Sequence, residues 1–520
     1  MLPLPLPAAL DYGLPPDAAL PEPGSFVRVE LGSRRIIGVV WGEAAADETP
    51  AARLKPVIEI LPAPPLRPEL RRFIERVAAY TLAAPGAVLR MAMSVEEALL
   101  PPPPRRVCAA TAAGLAALAE ASKDRRLTAA RRRVLAALRD GAGTVAEVAR
   151  RAGCTAGVVR GLVAAGLVEE RLLPGDPPPP APRWDLVGPA LSADQTRAAR
   201  RLVERTEAGG FSVTVLDGVT GSGKTETYFA AIAAVLAAGR QVLVLLPEIA
   251  LGAQWLERFR QRFGTAPAEW HSDLRDAQRR DTWRAVAAGR ARVVVGARSA
   301  LFLPFAELGL VVVDEEHDPS YKQDDGVPYQ ARDMAVLRAS LARVPIVLVS
   351  ATPSLETVVN IARGRYERVS LPERHAGAAM PQIALVDMRR ERLAPGRFLS
   401  APLADALAAT LADGEQALLF LNRRGYAPLT LCRACGHRLQ CPSCTAWLVE
   451  HRFTARLVCH HCGHAEPVPR LCPQCLAGGT LVPCGPGVER LKEEVAARFP
   501  EARIALMVSD LLSGPRAAAD

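Results

Sequence analysis

The sequence predicts an α/β fold built on a parallel sheet, and three observations carry this prediction. From about residue 183 onwards, apolar strand-like runs alternate with helical patterns, as they do in βαβ units. A β-branched run at Val213 leads into a Gly-rich loop and then a helical pattern, which is the context of a phosphate-binding loop. Mainly apolar runs that begin at Val242, Arg292, Leu310 and Ile346 all end in polar or small residues. Ligands bind at such carboxyl strand ends in open α/β sheets.

The Gly-rich loop has the pattern G-x-x-x-x-G-K-T from Gly218 to Thr225. Its glycines allow backbone N–H groups to surround phosphate oxygens. Lys224 is predicted to reach the β- and γ-phosphates of ATP, and the Thr225 hydroxyl to bind Mg²⁺. The run 310–313 ends in Asp314, which suits the Mg²⁺ shell, and Glu315, which suits a base that orients the attacking water.

The nucleotide site is expected to draw on residues from three stretches. Gln195 follows a helix-capping pattern and is placed to contact an adenine edge, although an isolated Gln in a first turn is more often simply solvated. The predicted cofactor-binding residues are Gln195, Gly218, Gly221, Ser222, Gly223, Lys224, Thr225 and Glu226. The predicted catalytic residues are Lys224, Asp314 and Glu315.

A Ser-Ala-Thr sequence, 350–352, ends a further apolar run. After a phosphate loop and an acidic strand end, this sequence is typical of helicase-type motors, where it links the nucleotide state to movement between two lobes. We therefore expect RecA-like helicase lobes with parallel sheets. The second lobe is expected to contain strands over 383–387 and 416–421, the latter followed by Asn-Arg-Arg-Gly-Tyr over 422–426.

Two smaller modules precede the sheet. Alternating patterns over 26–32 and 35–41 predict two strands of an N-terminal β-rich module, followed by a helix over 68–82. Helical patterns over 129–138, 145–151 and 158–165, with a strand over 166–173, predict a winged helix. DNA reading and a spacer or protein-docking role are equally compatible with that pattern. The predicted domains are 1–104, 105–182, 183–372 and 373–520, with a Cys-rich insertion over 430–484.

Eight of the eleven cysteines form four C-x-x-C pairs. Each pair supplies half of a tetrahedral Cys₄ site, so the eight thiolates predict two structural Zn²⁺ ions. Few apolar residues lie between the pairs, so metal binding must hold this segment together. The neighbouring histidines are not expected to be ligands. The pairs are Cys432 and Cys435, Cys441 and Cys444, Cys459 and Cys462, and Cys472 and Cys475.

The overall composition limits the class of protein. The formal net charge of +9 suits a polyanionic partner, although weakly. No apolar run reaches the roughly 18 residues needed to span a bilayer. The proline-interrupted N-terminus lacks the basic start of a signal peptide. Clustered cysteines indicate metal binding in a reducing cytosol, and abundant Ala, Arg and Pro suggest a bacterial source with a GC-rich genome.

Together these motifs resemble the PriA family of primosomal replication-restart helicases, also called primosomal protein N′. The resembling stretches follow the family's order and are GVTGSGKTE, LLPEIAL, VVVGARSALFLPF, VVVDEEHDPSYKQ, SATPSLET, FLNRRGYAP and the eight-Cys block. The resemblance implies a superfamily 2 DNA helicase that uses ATP and Mg²⁺, moves 3′ to 5′, recognises stalled or abandoned forks and starts primosome reassembly. The implied partners are forked and single-stranded DNA, primosome proteins and single-strand DNA-binding protein, in the bacterial cytoplasm at the nucleoid.

The resemblance also implies roles for individual residues. The N-terminal module would capture the 3′-OH end of the nascent leading strand through Asp11, Tyr12, Gly32 and Lys55. The stretch 321–333 matches an aromatic-rich loop that couples DNA contact to ATP hydrolysis, with Tyr321, Lys322, Tyr329 and Arg332 as the residues at the DNA. The implied zinc pairing is nested, with one ion on Cys432, Cys435, Cys472 and Cys475 and the other on Cys441, Cys444, Cys459 and Cys462.

The sequence departs from the family pattern at three places. The segment 327–330 lacks a bulkier aromatic residue and a His, and Leu-Gly-Ala-Gln replaces Leu-Thr-Pro-Gln over 251–254. A GTQ-type strand and the arginine-finger motif QVAGRAGR do not occur, so the second lobe is expected to be unfinished. Two alternatives therefore stay open: a truncated, non-unwinding scaffold that binds forks and ATP, and a plain zinc-ribbon nucleic-acid binder.

Overall fold

The computed structural model describes residues 1–15, 18–42, 54–101, 104–119, 127–173, 180–247, 253–374, 381–388, 390–391, 393–394, 397–421, 429–451, 456–484 and 487–507. The chain divides into two compact units, Met1–Ala379 and Met380–Asp520. The finer predicted division of the first unit into three domains stays a prediction. None of the described helices is long and apolar enough to cross a membrane.

The N-terminal module is a small antiparallel sheet followed by helices. Strand β1 (Phe26–Leu31) pairs with β2 (Arg34–Val39) through a tight turn, and with β3 (Glu59–Ile60) on its other side. Helices α1 (Pro68–Thr81) and α2 (Pro85–Ala92) follow. The predicted strand pair and the first helix are confirmed, whereas β3 was too short to leave an alternating pattern.

The next module has the elements of a winged helix. They are β4 (Arg105–Ala110), α3 (Ala112–Ala119), α4 (Ala129–Arg139), α5 (Val145–Arg151), α6 (Ala156–Ala164) and β5 (Val168–Leu173). Thr144 and Glu147 cap α5 reciprocally, which satisfies free backbone N–H groups at the start of the helix. Strand β4 pairs antiparallel with β5, and Cys108 on β4 is buried in the core of this module. The predicted helices and wing are therefore present.

The remainder of the first unit is an α/β domain. Its elements are α7 (Ala193–Ala208), β6 (Ser212–Gly218), α8 (Lys224–Ala237), β7 (Gln241–Leu245), α9 (Ala253–Phe263), β8 (Ala268–Trp270), α10 (Asp276–Ala287), β9 (Val293–Gly296), β10 (Leu308–Val313), β11 (Lys322–Gln323), β12 (Tyr329–Gln330), α11 (Ala331–Ala342), β13 (Pro345–Ser350), α12 (Leu355–Ala362) and β14 (Glu367–Leu371).

Seven of these strands form one parallel sheet in the order β14-β6-β13-β10-β7-β9-β8. The five strands predicted from apolar runs occupy its centre, and they are almost wholly buried. The two edge strands, β8 and β14, left no comparable apolar run in the sequence. The carboxyl ends of β6, β10 and β13 are neighbours, so the phosphate loop, the acids and the Ser-Ala-Thr sequence meet at one edge.

The N-terminal module shares a hydrophobic core with this sheet domain. Phe73 on α1 packs against Phe302 with ring centroids 5.3 Å apart. The indole N–H of Trp283 donates to the Ala92 carbonyl oxygen at 2.9 Å. The buried Arg284 guanidinium donates to carbonyl oxygens at the end of the module, including that of Glu97 at 2.7 Å. The module is thus fixed to the sheet domain by packing and hydrogen bonds.

The second unit contains two long helices and short antiparallel strands. They are α13 (Ala401–Ala412), β15 (Leu429–Cys432), β16 (Val449–His451), β17 (Arg456–Val458), β18 (Ala465–Pro467), β19 (Leu481–Cys484) and α14 (Val488–Arg498). Strand β15 pairs with β19, and β16, β17 and β18 form a three-stranded sheet. These strands frame the cysteines.

The predicted second-lobe strands are wrong within the described residues. Neither 383–387 nor 416–421 forms a strand, and their apolar side chains are exposed, with Leu385 at 94% and Leu418 at 85%. A parallel strand needs neighbours that pair its backbone and cover both faces, and none is present in the described part of this unit. The motif stretch 422–428 lies outside the described residues, as do 248–252 and 508–520.

Candidate nucleotide site and metal centres

The phosphate loop joins the buried strand β6 to the first turn of α8. Gly221 and Gly223 have φ of 80° and 79°, in the left-handed region that favours glycine. A Cβ on Gly223 would lie 2.3 Å from the Gln195 amide nitrogen, so this position also needs glycine for space. Lys224 is buried and its ammonium donates to the Gly218 carbonyl oxygen at 2.9 Å. The Ser222 hydroxyl is buried and has no hydrogen-bond partner among the described residues, which suits a loop whose ligand supplies oxygen acceptors.

The two residues expected at Mg²⁺ lie beside the same tyrosine hydroxyl. Tyr228 donates to the Asp314 carboxylate at 2.8 Å, and the Thr225 side chain lies near that hydroxyl and acts to lower the Tyr228 pKa. The Trp255 indole N–H donates to the same tyrosine oxygen at 2.7 Å. Hydroxyl and carboxylate oxygens are the ligands that Mg²⁺ prefers, so Thr225 and Asp314 fit this ion and would hold it when nucleotide is bound. Bound Mg²⁺ would neutralise phosphate charge.

Asp314 lies in an environment that disfavours its charge. The pKa of the carboxyl is raised to about 6, chiefly by burial and also by the nearby Glu315 carboxylate, although the Tyr228 hydrogen bond and Lys224 act to lower it. A divalent cation would reverse this balance, because an adjacent positive charge favours the ionised carboxylate. The ionised form of Asp314 is therefore more favourable in this site when a divalent cation is bound than when none is bound.

The residues after Asp314 connect the acids to the Ser-Ala-Thr sequence. Glu315 adopts a left-handed φ of 47° and is partly exposed. His317 Nδ1 lies 2.7 Å from the Ser350 hydroxyl, which also accepts from the Thr352 backbone N–H at 3.0 Å. The two motifs that the sequence placed on separate strands are therefore in direct contact.

Gln195 and Glu226 have firm partners within the site. The Gln195 side chain donates to the Ser222 carbonyl oxygen at 2.8 Å and accepts from the Ser192 backbone N–H at 2.9 Å. It thus braces the phosphate loop, and its contact with adenine stays a prediction. Glu226 forms an ion pair of 2.9 Å with Arg258 on α9, which ties the start of α8 to the next helix.

Two groups of four cysteines could each hold one metal ion. Within each group the sulfur atoms lie within 4.8 Å of one another, and the closest pairs are 3.4 to 3.7 Å apart. A tetrahedral ZnS₄ site with Zn–S bonds of about 2.3 Å needs sulfur separations of about 3.8 Å. The residues therefore fit two Zn²⁺ ions with the nested pairing: Cys432, Cys435, Cys472 and Cys475 on one, and Cys441, Cys444, Cys459 and Cys462 on the other.

The four residues expected at a DNA 3′ end lie on one small sheet and its neighbouring segments. The Lys55 ammonium donates to the Gly32 carbonyl oxygen at 3.3 Å, and the Tyr12 hydroxyl donates to the Glu30 carbonyl oxygen at 3.0 Å. Asp11 and Lys55 are exposed, and Tyr12 is half-buried. Gly32 turns the chain between β1 and β2 with φ of 63°. Their contact with DNA stays a prediction.

The other proposed DNA residues lie on the hairpin β11–β12 or directly beside it, and among them only Lys322 is exposed. Tyr321, Tyr329 and Arg332 are buried, and their contact with DNA stays a prediction. The Tyr321 hydroxyl lies within hydrogen-bond distance of two carbonyl oxygens and can donate to either, that of Asp314 at 2.6 Å or that of Leu245 at 3.0 Å. Arg332 forms an ion pair with Glu316. Lys322 is exposed and stays a candidate for DNA contact.

Sequence reasoning missed two residues that shape the nucleotide site, Tyr228 and Trp255, and two that hydrogen-bond each other close to the acidic strand end, Glu316 and Ser354. Tyr228 and Trp255 occupy apolar positions in predicted helices, so nothing in the sequence distinguished them from ordinary core residues. Glu316 was visible in the Asp-Glu-Glu-His sequence, but a run of acids at a strand end gives no sign of which one is buried.

Comparison with known proteins gives family matches along the chain. Residues 1–94 match the 3′ DNA-binding domain of PriA, residues 192–361 match the DEAD/DEAH box helicase family, and residues 441–467 match the Cys-rich region domain of the PriA DNA helicase. The matched segments contain the N-terminal sheet, the phosphate loop with its acids, and the second cysteine group.

Individual relatives agree with these matches. Replication restart protein PriA of Haemophilus influenzae is 35% identical over 524 residues, covering 98% of this chain and 70% of the relative. PriA of Rickettsia conorii is 49% identical over 331 residues, covering 64% of this chain and 50% of the relative, and PriA of Bacillus subtilis is 44% identical, covering 62% and 40%. The chain thus spans about half the length of the Rickettsia relative. By its domains and its identity to these relatives, the chain belongs to the PriA family of replication restart proteins.

Proposed function

We propose that this chain binds Mg²⁺-ATP and forked DNA and acts as an ATP-dependent 3′–5′ DNA helicase in replication restart. The observation that carries the proposal is the linked group Thr225, Tyr228 and Asp314 beside the phosphate loop. It brings a hydroxyl and a carboxylate together next to Lys224, as Mg²⁺-ATP requires. Glu315 would orient the attacking water.

The nucleotide part of the proposal is tested with Lys224→Ala. Removing the ammonium should abolish detectable Mg²⁺-ATP binding in calorimetry, because the loop loses its only side-chain charge for the phosphates. Lys322→Ala, a change of the same kind on the exposed hairpin, should bind nucleotide like the unchanged protein when DNA is absent. Unchanged affinity in Lys224→Ala would refute the phosphate-loop assignment.

The DNA part of the proposal rests on the N-terminal sheet and on the family match of residues 1–94. We infer that Asp11, Tyr12, Gly32 and Lys55 capture the 3′-OH end of the nascent leading strand at stalled or abandoned forks. Primosome reassembly then requires primosome proteins and single-strand DNA-binding protein as partners. Such work on the chromosome would place the protein in the bacterial cytoplasm at the nucleoid.

A second candidate is a scaffold that binds ATP and forks without unwinding them. The exposed apolar side chains over 383–387 and 416–421 favour it, since they form no second sheet within the described residues. A strand-displacement assay separates the two: unwinding of a forked duplex that depends on ATP supports the helicase, and fork binding with no displacement supports the scaffold.

A further inference from the structure

Helix α14, the last helix of the second unit, is anchored by charged rather than apolar side chains. Its buried residues are Glu489 and Glu494, whereas Val488, Leu491 and Val495 are only half-buried. Most helices in proteins are stabilised by packing of an apolar face, and a buried carboxylate is unfavourable unless polar groups pair with it. The partners of these two carboxylates therefore decide whether α14 stays in place.

The Glu494 carboxylate is paired with the segment that enters α13. It accepts from the Phe398 backbone N–H at 2.7 Å and from the Leu399 backbone N–H at 3.3 Å. The Arg490 guanidinium, one turn earlier on α14, lies 4.9 Å from the centroid of the Phe398 ring. These contacts join α14 to the start of α13.

The Glu489 carboxylate faces the cysteine segment instead. Its Oε1 atom lies 3.9 Å from Nδ1 of His451, the last residue of β16, and both side chains are only 8% exposed. The other ring nitrogen of His451, Nε2, lies 2.9 Å from Nε2 of His460, so one ring donates a hydrogen bond and the other accepts it. His451 thus has one ring nitrogen towards α14 and the other towards His460.

His460 stands inside the second cysteine group, which fits one Zn²⁺ ion. This group consists of Cys441, Cys444, Cys459 and Cys462. His460 lies between the last two of these cysteines, on a turn closed by a hydrogen bond from the Gly463 N–H to the Cys459 carbonyl oxygen at 2.9 Å. In small metal-binding segments the free energy of metal binding is also the free energy of folding. The position of the His460 ring therefore depends on the turn, and the turn depends on a metal ion bound by the group.

We propose that His451 is a positioning residue that joins α14 to the second cysteine group through Glu489 and His460, so that docking of α14 depends on the metal ion held by this group. Because α14 holds the entry to α13 through Glu494, loss of that ion would loosen both helices. The inference concerns the second unit alone, and it does not rest on the proposed binding of ATP or DNA.

The test uses the 520-residue chain with both metal ions bound, as counted by native mass spectrometry. Hydrogen exchange gives the protection of the backbone N–H groups in α14 and α13. Competition with a chelator of known affinity gives the affinity of the chain for Zn²⁺. The two measurements report one coupling from its two ends, because an ion that stabilises docking of α14 is stabilised by that docking to the same extent.

Two variants interrupt the chain of contacts. His451→Phe keeps an aromatic ring in the buried position and removes both ring nitrogens, and Glu489→Gln keeps the shape of the side chain and removes its charge. Linked sites typically change each other's affinity by about 5-fold to 150-fold. We therefore expect exchange in α14 to become at least about 5-fold faster in both variants at saturating Zn²⁺, and one of the two ions to bind at least about 5-fold more weakly.

His464→Phe is the matched control. His464 lies two positions after Cys462 and is equally close in sequence to the second cysteine group, but its Nε2 atom lies 3.0 Å from the carboxylate of Glu466 on β18. This change removes a ring that is directed away from α14. Exchange in α14 should therefore equal that of the unchanged protein.

Faster exchange in α14 together with weaker binding of one ion would support the proposal. It is overturned if both His451→Phe and Glu489→Gln keep the exchange of α14 and both metal affinities, or if His464→Phe loosens α14 as much as His451→Phe does. It is also overturned if α14 stays protected in the unchanged protein after a chelator has removed both ions. That last comparison needs no variant, so it decides the question even where His451→Phe does not fold.

Discussion

We expect the loss of a single oxygen atom, the hydroxyl of Tyr228, to disturb the nucleotide site. Replacing it by Phe removes one oxygen atom and keeps the ring, which packs edge-on against Phe229 in the core. That oxygen donates to the Asp314 carboxylate at 2.8 Å and accepts from the Trp255 indole at 2.7 Å. The substitution therefore deletes one bond to an acid and leaves a buried indole N–H without its partner.

The size of the effect follows from these two losses. A hydrogen bond to a charged group contributes about 1.5–3 kcal/mol, and an unsatisfied buried donor costs about 1–3 kcal/mol. Because the two losses share one oxygen and are not additive, we expect a fall of about 3 kcal/mol in the free energy of unfolding of the sheet domain. For a domain of this size, about 3 kcal/mol corresponds to a fall of roughly 6–12 °C in Tm.

The assay is thermal unfolding of Tyr228→Phe beside Tyr80→Phe, which removes the hydroxyl of an exposed tyrosine on α1. Tyr80→Phe should melt like the unchanged protein. Affinity for Mg²⁺-ATP should also fall in Tyr228→Phe, since Asp314 loses the group that orients it, and nucleotide binding without Mg²⁺ should change less. If both variants melt alike and bind Mg²⁺-ATP alike, the hydroxyl does not organise the site.

Three other predictions concern charge, metal and DNA. In Mg²⁺-free buffer the pKa of Asp314 is raised from 3.8 to about 6, chiefly by burial, so its contribution to stability is present at low pH and is lost as the pH rises through about 6. Asp314→Asn should therefore have a higher Tm than the unchanged protein at pH 8, and the difference in Tm should shrink towards pH 5.5. A difference in Tm that does not change with pH would contradict this. Native mass spectrometry should find two metal ions, and their removal by a chelator should unfold the cysteine segment while nucleotide binding persists; reduced, metal-free protein with an intact segment would be the contrary result. A fork with a 3′-OH at the junction should bind more tightly than one with a 3′-phosphate, which Asp11 would repel, and equal anisotropy titrations would remove the end-capture proposal.

Much of the sheet domain could be predicted because its signals are local. A buried parallel strand must be apolar along its whole length, and a phosphate loop needs glycines at fixed spacing, so β6, β7, β9, β10 and β13 were visible in the chain. The second-lobe strands looked the same in sequence and are not strands here. An apolar run indicates only that burying its side chains would be favourable. Whether neighbouring elements cover those side chains depends on the tertiary structure.

The sequence by itself determined the chemistry that is present: a phosphate loop, acids at a strand end and eight thiolates in four pairs. Each of these features is a set of residue types at short spacings along the chain, and such a set is present in the sequence whatever fold the chain adopts. Only the tertiary structure decided which groups are buried and paired. It placed Tyr228 between Thr225 and Asp314, joined the cysteines in two nested sets, and enclosed Arg332 with Glu316. Such pairings join residues from about 3 to 86 positions apart, and the cost of burying a charge or a hydroxyl is set by the partner that folding brings to it.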